Sequence, residues 1–135
     1  AGSSRPIPWW RRPSSWAVRS AASVRISLAK AHSSSGGATS SPRRPSSRRA
    51  QRAASYAKRF AAKEALGKAL GLGLRDPATL HNITVLSDGL GRPSFEYAPP
   101  LADWMKARRL RAHLSLSDET DTAMAFVVVE QEDTP

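Results

Sequence analysis

Residues 56–71 read YAKRFAAKEALGKALG, and this stretch limits what the chain can become more than any other. Alanine and leucine dominate it, Lys, Arg and Glu fill the gaps, and neither proline nor a β-branched residue interrupts the run, so a helix is expected. Gly71 and the following Leu72-Gly73 supply its stop. Tyr56, Phe60, Glu64 and Lys68 recur every four residues and share one stripe, half apolar and half ionic. In isolation Glu64 and Lys68 form an i,i+4 pair in the favoured order, contributing about 0.2–0.5 kcal/mol to the helix.

At 135 residues, 40% of them apolar, the chain has room for one domain with a modest core. It has no cysteine, which excludes disulfides and thiolate metal sites and agrees with a reducing cytoplasm. The longest apolar run, residues 123–129, is far too short for a membrane-spanning helix, so a soluble protein is expected. The formal charge of +10 conceals a break. Residues 1–63 hold 14 Lys/Arg and no Asp or Glu, whereas residues 64–135 hold 7 Lys/Arg and all 11 acids, a split of +14 against −4. Such a break marks two segments of different character.

Residues 1–50 are mostly Ser, Arg, Ala and Pro. Only residues 20–31 have any helical or strand tendency, and no apolar period persists long enough to define a core face, so little stable structure is expected there. An Arg- and Ser-rich, acid-free leader has the composition of an organellar transit peptide. Arginines at 11–12, 43–44 and 48–49, with Trp9, Trp10 and Trp16, equally suit an arm that contacts nucleic-acid phosphates and stacks on bases.

Beyond the helix, Pro77 prevents continuation. Residues 83–86 and 94–97 have extended character around the turn cluster Ser87-Asp88-Gly89-Leu90-Gly91-Arg92-Pro93, which predicts a hairpin. Pro99 and Pro100 precede a short amphipathic helix over 101–108, with Leu101, Trp104 and Met105 on one face and Trp104 as a core anchor. Residues 113–117 and 122–129 then predict a second hairpin, turning at 118–121. The order helix, hairpin, helix, hairpin is that of an α+β domain.

Three blocks of this sequence carry a family resemblance. Phe60-x-x-Lys63-Glu64-x-x-x-Lys68, with Arg59 before it and Ala69-Leu70-Gly71 after it, closely resembles the signature helix of the 4'-phosphopantetheinyl transferases, in their holo-acyl-carrier-protein synthase branch. Ile83, Val85, Asp88, Gly91 and Pro93 match the family's I-x-V-x-x-D-x-x-G-x-P stretch. Leu114, Ser115, Ser117, Glu119, Ala123, Ala125, Val127 and Glu130 match its h-x-S-x-S-H-E and A-x-A-x-V-x-x-E blocks, with Asp118 in place of the histidine. The likeness runs from about residue 51 to residue 130.

This resemblance implies a small domain of antiparallel strands packed on a long signature helix, assembled as a homotrimer with active sites between subunits. It implies transfer of 4'-phosphopantetheine from coenzyme A to a serine of apo acyl carrier protein, with release of adenosine 3',5'-bisphosphate, in cytoplasmic fatty acid biosynthesis. Glu64 is then the carboxylate for Mg²⁺, an ion that takes one or two carboxylates together with substrate phosphates and water. Lys68 is the phosphate contact, Arg59 the partner of the 3'-phosphate, and Lys63 a phosphate or carrier contact. Gly91, Arg92 and Pro93 are candidates for lining the adenosine end of coenzyme A. The serine proton falls to Glu64 or to a metal-bound water.

Two departures stand against a complete site. Family members open with a strand of the type G-x-G-x-D-x-x-x-I, whose Asp joins the helix glutamate at the metal, but no acid precedes Glu64 here. Asp118, where the family has histidine, is expected to repel the 3'-phosphate. The chain is therefore expected to be weak or inactive, and its trimer to be compromised. Basic sequence that gives way to family-like sequence near residue 51 is what a reading-frame change in a GC-rich gene produces, so 1–50 is read as a low-complexity segment, disordered or frame-shifted, and 51–135 as the domain. The rival from another class is a non-catalytic protein that grips nucleic acid with its basic arm.

Overall fold

The structure is a computed structural model that describes residues 16–28, 48–119 and 121–132. Its elements are β1 (Trp16–Ser27), α1 (Arg48–Ala69), a 3₁₀ turn at Leu80–Asn82, β2 (Ile83–Ser87), β3 (Pro93–Tyr97), α2 (Pro99–Ala107), β4 (Leu110–Glu119) and β5 (Thr122–Glu132). An antiparallel three-stranded sheet in the order β1-β5-β4 packs on α1, and β2 with β3 forms a separate antiparallel pair. This is the expected α+β architecture.

The long helix exists as anticipated but begins at Arg48, eight residues before the expected start. Arginine, alanine and glutamine are good helix formers, and their propensity outweighs the unfavourable placing of cations, with no acid, in the first turn. The face of α1 turned to the sheet is built from Ala57, Ala61, Ala62, Ala65, Leu66 and Ala69, so the helix axis lies close to the strands. At its end the chain doubles back tightly. Leu72 and Gly73 both donate their amides to the Gly67 carbonyl at 3.0 Å, Gly71 adopts a left-handed φ of 78°, and a side chain at Gly67 would collide with the Gly73 carbonyl.

β5 is the central strand. Its inward residues Ala123, Ala125, Val127 and Val129 are buried against α1, and with Leu66, Ile83 and Leu101 they form the middle of the core. Trp104, the expected anchor, packs half-buried against this cluster. Strand β4 starts three residues before its expected position and runs straight through Asp118 and Glu119, where a turn was anticipated. The two residues pair with Ala123 and Thr122, because the hydrophobic run of β5 extends the ladder to its very start.

The expectation of little stable structure before residue 51 fails at Trp16–Ser27. Ala22, Val24 and Ile26 alternate inward and pair with Val127, Ala125 and Ala123, while Ser20 bonds its hydroxyl to the Ala69 carbonyl at 2.5 Å. Period-two alternation over so few residues, three of them small, was too weak a signal to read. The ladder to a long central strand supplies what the side chains lack. The arginine clusters at 11–12 and 43–44, Trp9 and Trp10 lie outside the described residues. Among the described residues no helix is long and apolar enough to cross a membrane.

Candidate functional site

Glu64 sits in the middle of α1, half-buried. It makes no hydrogen bond or ion pair among the described residues, so the i,i+4 pair with Lys68 that spacing alone allows does not form. Lys68 stands one turn further on and is exposed. A half-buried carboxylate that spurns a lysine within reach is poised for something else, since leaving a charge part-desolvated without a partner has a cost.

Lys63 is turned the other way: its Nζ donates to the Leu80 carbonyl at 3.1 Å and ties α1 to the 3₁₀ turn. A step of about 100° per residue turns Glu64 away from Lys63 around the helix. Arg59, five residues before Glu64, lies about 140° around the helix from it and is exposed. The chain therefore brings Glu64 and Lys68 to one side of α1 but does not bring Arg59 to them.

The hairpin residues are held by Asp88, whose Oδ1 accepts the amides of Leu90 at 2.9 Å and Arg92 at 2.8 Å. This fixes the turn that Gly91 completes with a φ of 82° and from which Pro93 opens β3. Arg92 is exposed. Among the described residues no hydrogen bond or ion pair joins Gly91, Arg92 or Pro93 to α1. Asp118 pairs with Lys58 of α1 at 3.4 Å, which offsets the negative charge expected to repel a phosphate.

Sequence reasoning overlooked a polar cluster on the far side of the sheet. Glu130 Oε2 accepts from Arg111 Nε at 2.7 Å and lies 2.9 Å from His113 Nε2. The His113 hydrogen bond first, and then that of Arg111, hold the Glu130 carboxyl below its ordinary range. Cross-strand pairing of Arg111 with Glu130 creates the cluster, and only the register reveals it. Burial pushes the Tyr97 hydroxyl well above its ordinary value.

Asp118 pairs with Lys58 at one end of α1 and Ser20 bonds Ala69 at the other, so β1 runs back along the helix. From Ala69 to Glu64 is about 7.5 Å of helix, and from Ser20 to Ala22 is about 6.8 Å of strand. Ala22 is thus level with Glu64. The inward row of β1 is Ser20, Ala22, Val24 and Ile26, without a carboxylate, and the described residues hold no group of three or more His, Cys, Asp or Glu able to bind a metal. A two-carboxylate site does not fit.

The fold and the helix motif define a class. A profile of the 4'-phosphopantetheinyl transferase superfamily matches residues 27–127, and the chain belongs to that family. It is similar to the holo-[acyl-carrier-protein] synthase of Azoarcus sp. (strain BH72), 57% identical over 74 residues that make up 55% of this chain and 59% of the relative. The chain thus matches about three fifths of the length of such a curated relative. Among solved structures it resembles the Neisseria meningitidis holo-[acyl-carrier-protein] synthase, with a TM-score of 0.61 and 34% identity over 84% of this chain and 98% of that one. The Bacillus anthracis holo-(acyl-carrier-protein) synthase, solved in complex with CoA (3',5'-ADP), shares the fold at 24% identity and a TM-score of 0.54, covering 84% of this chain and 97% of its own.

Proposed function

We propose that this chain transfers 4'-phosphopantetheine from coenzyme A to a serine hydroxyl of apo acyl carrier protein, releasing adenosine 3',5'-bisphosphate. The observation that carries this is Glu64: a half-buried carboxylate, without a partner among the described residues, one turn before Lys68, in a chain that belongs to the phosphopantetheinyl transferases. A relative of the same fold was solved with coenzyme A, which supports that donor. Lys68 contacts the pyrophosphate, where an ammonium next to the reacting oxygens stabilises developing charge. Lys63 keeps two N–H groups beyond its bond to Leu80 for a phosphate or carrier contact. Gly91, Arg92 and Pro93 line the adenosine end.

Arg59 takes the 3'-phosphate of a coenzyme A bound at a neighbouring copy's Glu64, since it faces away from its own, and the assembly is a homotrimer. The outer face of β5 supports an oligomer, because Met124, Phe126 and Val128 form an apolar ridge between Arg25, Ser23 and Ala21 on one side and Ser117, Ser115 and His113 on the other. Phe126 is 45% exposed there. Mg²⁺ would meet one protein carboxylate among the described residues, Glu64, and would supply charge stabilisation at the phosphates. Glu64 is then the group placed to accept the serine proton, and the transfer is slow. The chemistry assigns the chain to fatty acid biosynthesis in the cytoplasm.

The test is incubation with coenzyme A, Mg²⁺ and apo carrier protein, followed by weighing the carrier. Slow conversion, with coenzyme A raising the melting temperature, is expected. The absence of both conversion and a thermal response would overturn the assignment, and conversion at the rate of a complete relative would overturn the impairment. Residues 1–50 are proposed to derive from an altered reading frame, and coding DNA with no alternate frame for an acidic opening strand upstream of codon 51 would end that proposal.

A further inference from the structure

At the end of the sheet where β1 enters and β5 leaves, the structure holds a cavity of about 430 Å³. Its floor is apolar, formed by Leu70, Leu110 and Val129, and its rim carries Arg19, Trp104 and Arg108. The volume falls within the range of small-molecule sites.

The two guanidinium groups on this rim are held in place. Arg108 lies 4.0 Å over the Trp104 ring and donates Nη1 to the Trp104 carbonyl at 3.1 Å. Arg19 donates Nη1 to Gln131 Oε1 at 2.5 Å, and the Gln131 amide donates to the Arg108 carbonyl at 3.1 Å. Each guanidinium spends one of its five N–H groups in this chain of bonds. Among the described residues neither meets a carboxylate. The alternation of β5 turns Glu130 and Glu132 to the other face of the sheet, while Val129 and Gln131 face the cavity. Two positioned, unneutralised forks therefore stand over an apolar floor, a combination suited to a planar or tetrahedral anion with a hydrocarbon body.

We infer that this cavity is a binding site for a small organic anion, a carboxylate or phosphate monoester whose apolar part enters between Leu70, Leu110 and Val129. It is distinct from the Glu64 face, since Ala69 in its wall lies about 140° around α1 from Glu64. It does not depend on the proposed transfer chemistry. Occupancy ties β1 to the ends of α1 and α2, where the bond from Ser20 to Ala69 and the Arg19–Gln131–Arg108 chain already join them.

The experiment titrates the full chain with hexanoate, hexyl phosphate and hexanol, following the Trp104 indole and the Leu110 amide by ¹H–¹⁵N spectroscopy. Saturable shifts with at least one of the two anions, about tenfold weaker for hexanol, are expected, and the tighter anion names the head group. Arg19→Gln, at an exposed position, and Arg19→Gln/Arg108→Gln each weaken anion binding, the double variant by about tenfold or more. The single variant serves should the double one not fold. Absence of saturable shifts with both anions, equal binding of hexanol, or undiminished binding by Arg19→Gln would overturn the site.

Discussion

Strand β1 and helix α1 lie against one another in the same core, yet they contribute in different ways. α1 offers a row of alanines with Leu66 at its centre, so its fit is set by side chains, and it carries the one carboxylate of the candidate site. β1 offers Ser20, Ala22, Val24 and Ile26, and is joined to β5 through a backbone ladder that any extended sequence could make. The comparison teaches that a strand can be kept by its partner's edge while its inward row, Ser20, Ala22, Val24 and Ile26, carries no ionisable side chain. Position alone does not make a site; the side chain standing level with Glu64 is an alanine.

The largest expected contrast is in turnover. Glu64→Gln should lower transfer to the carrier by on the order of 10²–10³, whereas Ala22→Ser on the facing strand should leave it within about twofold, both read from the mass of the carrier over time. Equal losses would erase the functional distinction between the two elements. Next comes packing. Leu66→Ala should cost about 2–5 kcal/mol in urea unfolding, while Ser20→Ala, which removes one hydrogen bond, should cost about 1 kcal/mol. A Ser20 effect as large as that of Leu66 would mean β1 is fitted by its side chains after all.

Ala22→Asp sharpens the comparison from the other direction. It should confer a Mg²⁺-dependent rise in melting temperature of a few degrees, about what 1 kcal/mol gives a domain of this size. The original chain and the Ala22→Asp/Glu64→Gln variant should show none. A cation response in that double variant would move the site away from Glu64. The smallest effect concerns the far face of the sheet. Because its partners hold the Glu130 carboxyl below its ordinary value, its contribution is present above the unfolded value and is lost as pH falls through the lowered native one. Glu130→Gln should therefore reduce stability near neutrality and flatten the acid limb of the stability profile. An unchanged acid limb would show that Arg111 and His113 do not act on it.

Much of α1 and both hairpins was legible because local rules agree there. Helix formers, glycine stops, prolines at the start of α2 and the alternation of β5 each point to the same element. The start of α1 was missed by eight residues, since a first turn without acids violates the usual signal while propensity still prevails. β1 was not legible, because its alternation is short, its inward residues are small, and the ladder that stabilises it belongs to a strand about a hundred residues later.

The candidate site divides along the same line. Glu64, Lys68 and the Gly91-Arg92-Pro93 turn are candidates through the family resemblance of their motifs, which the sequence carries by itself. What only the tertiary structure decided is who meets whom: Lys63 is drawn off to the Leu80 carbonyl, Asp118 is claimed by Lys58, Arg59 lies about 140° around α1 from Glu64, and the inward row of β1 carries no carboxylate. The physical reason is that helical periodicity fixes angles around one axis, whereas the register of β1 on β5, and of both on α1, is set by contacts between residues far apart in the chain.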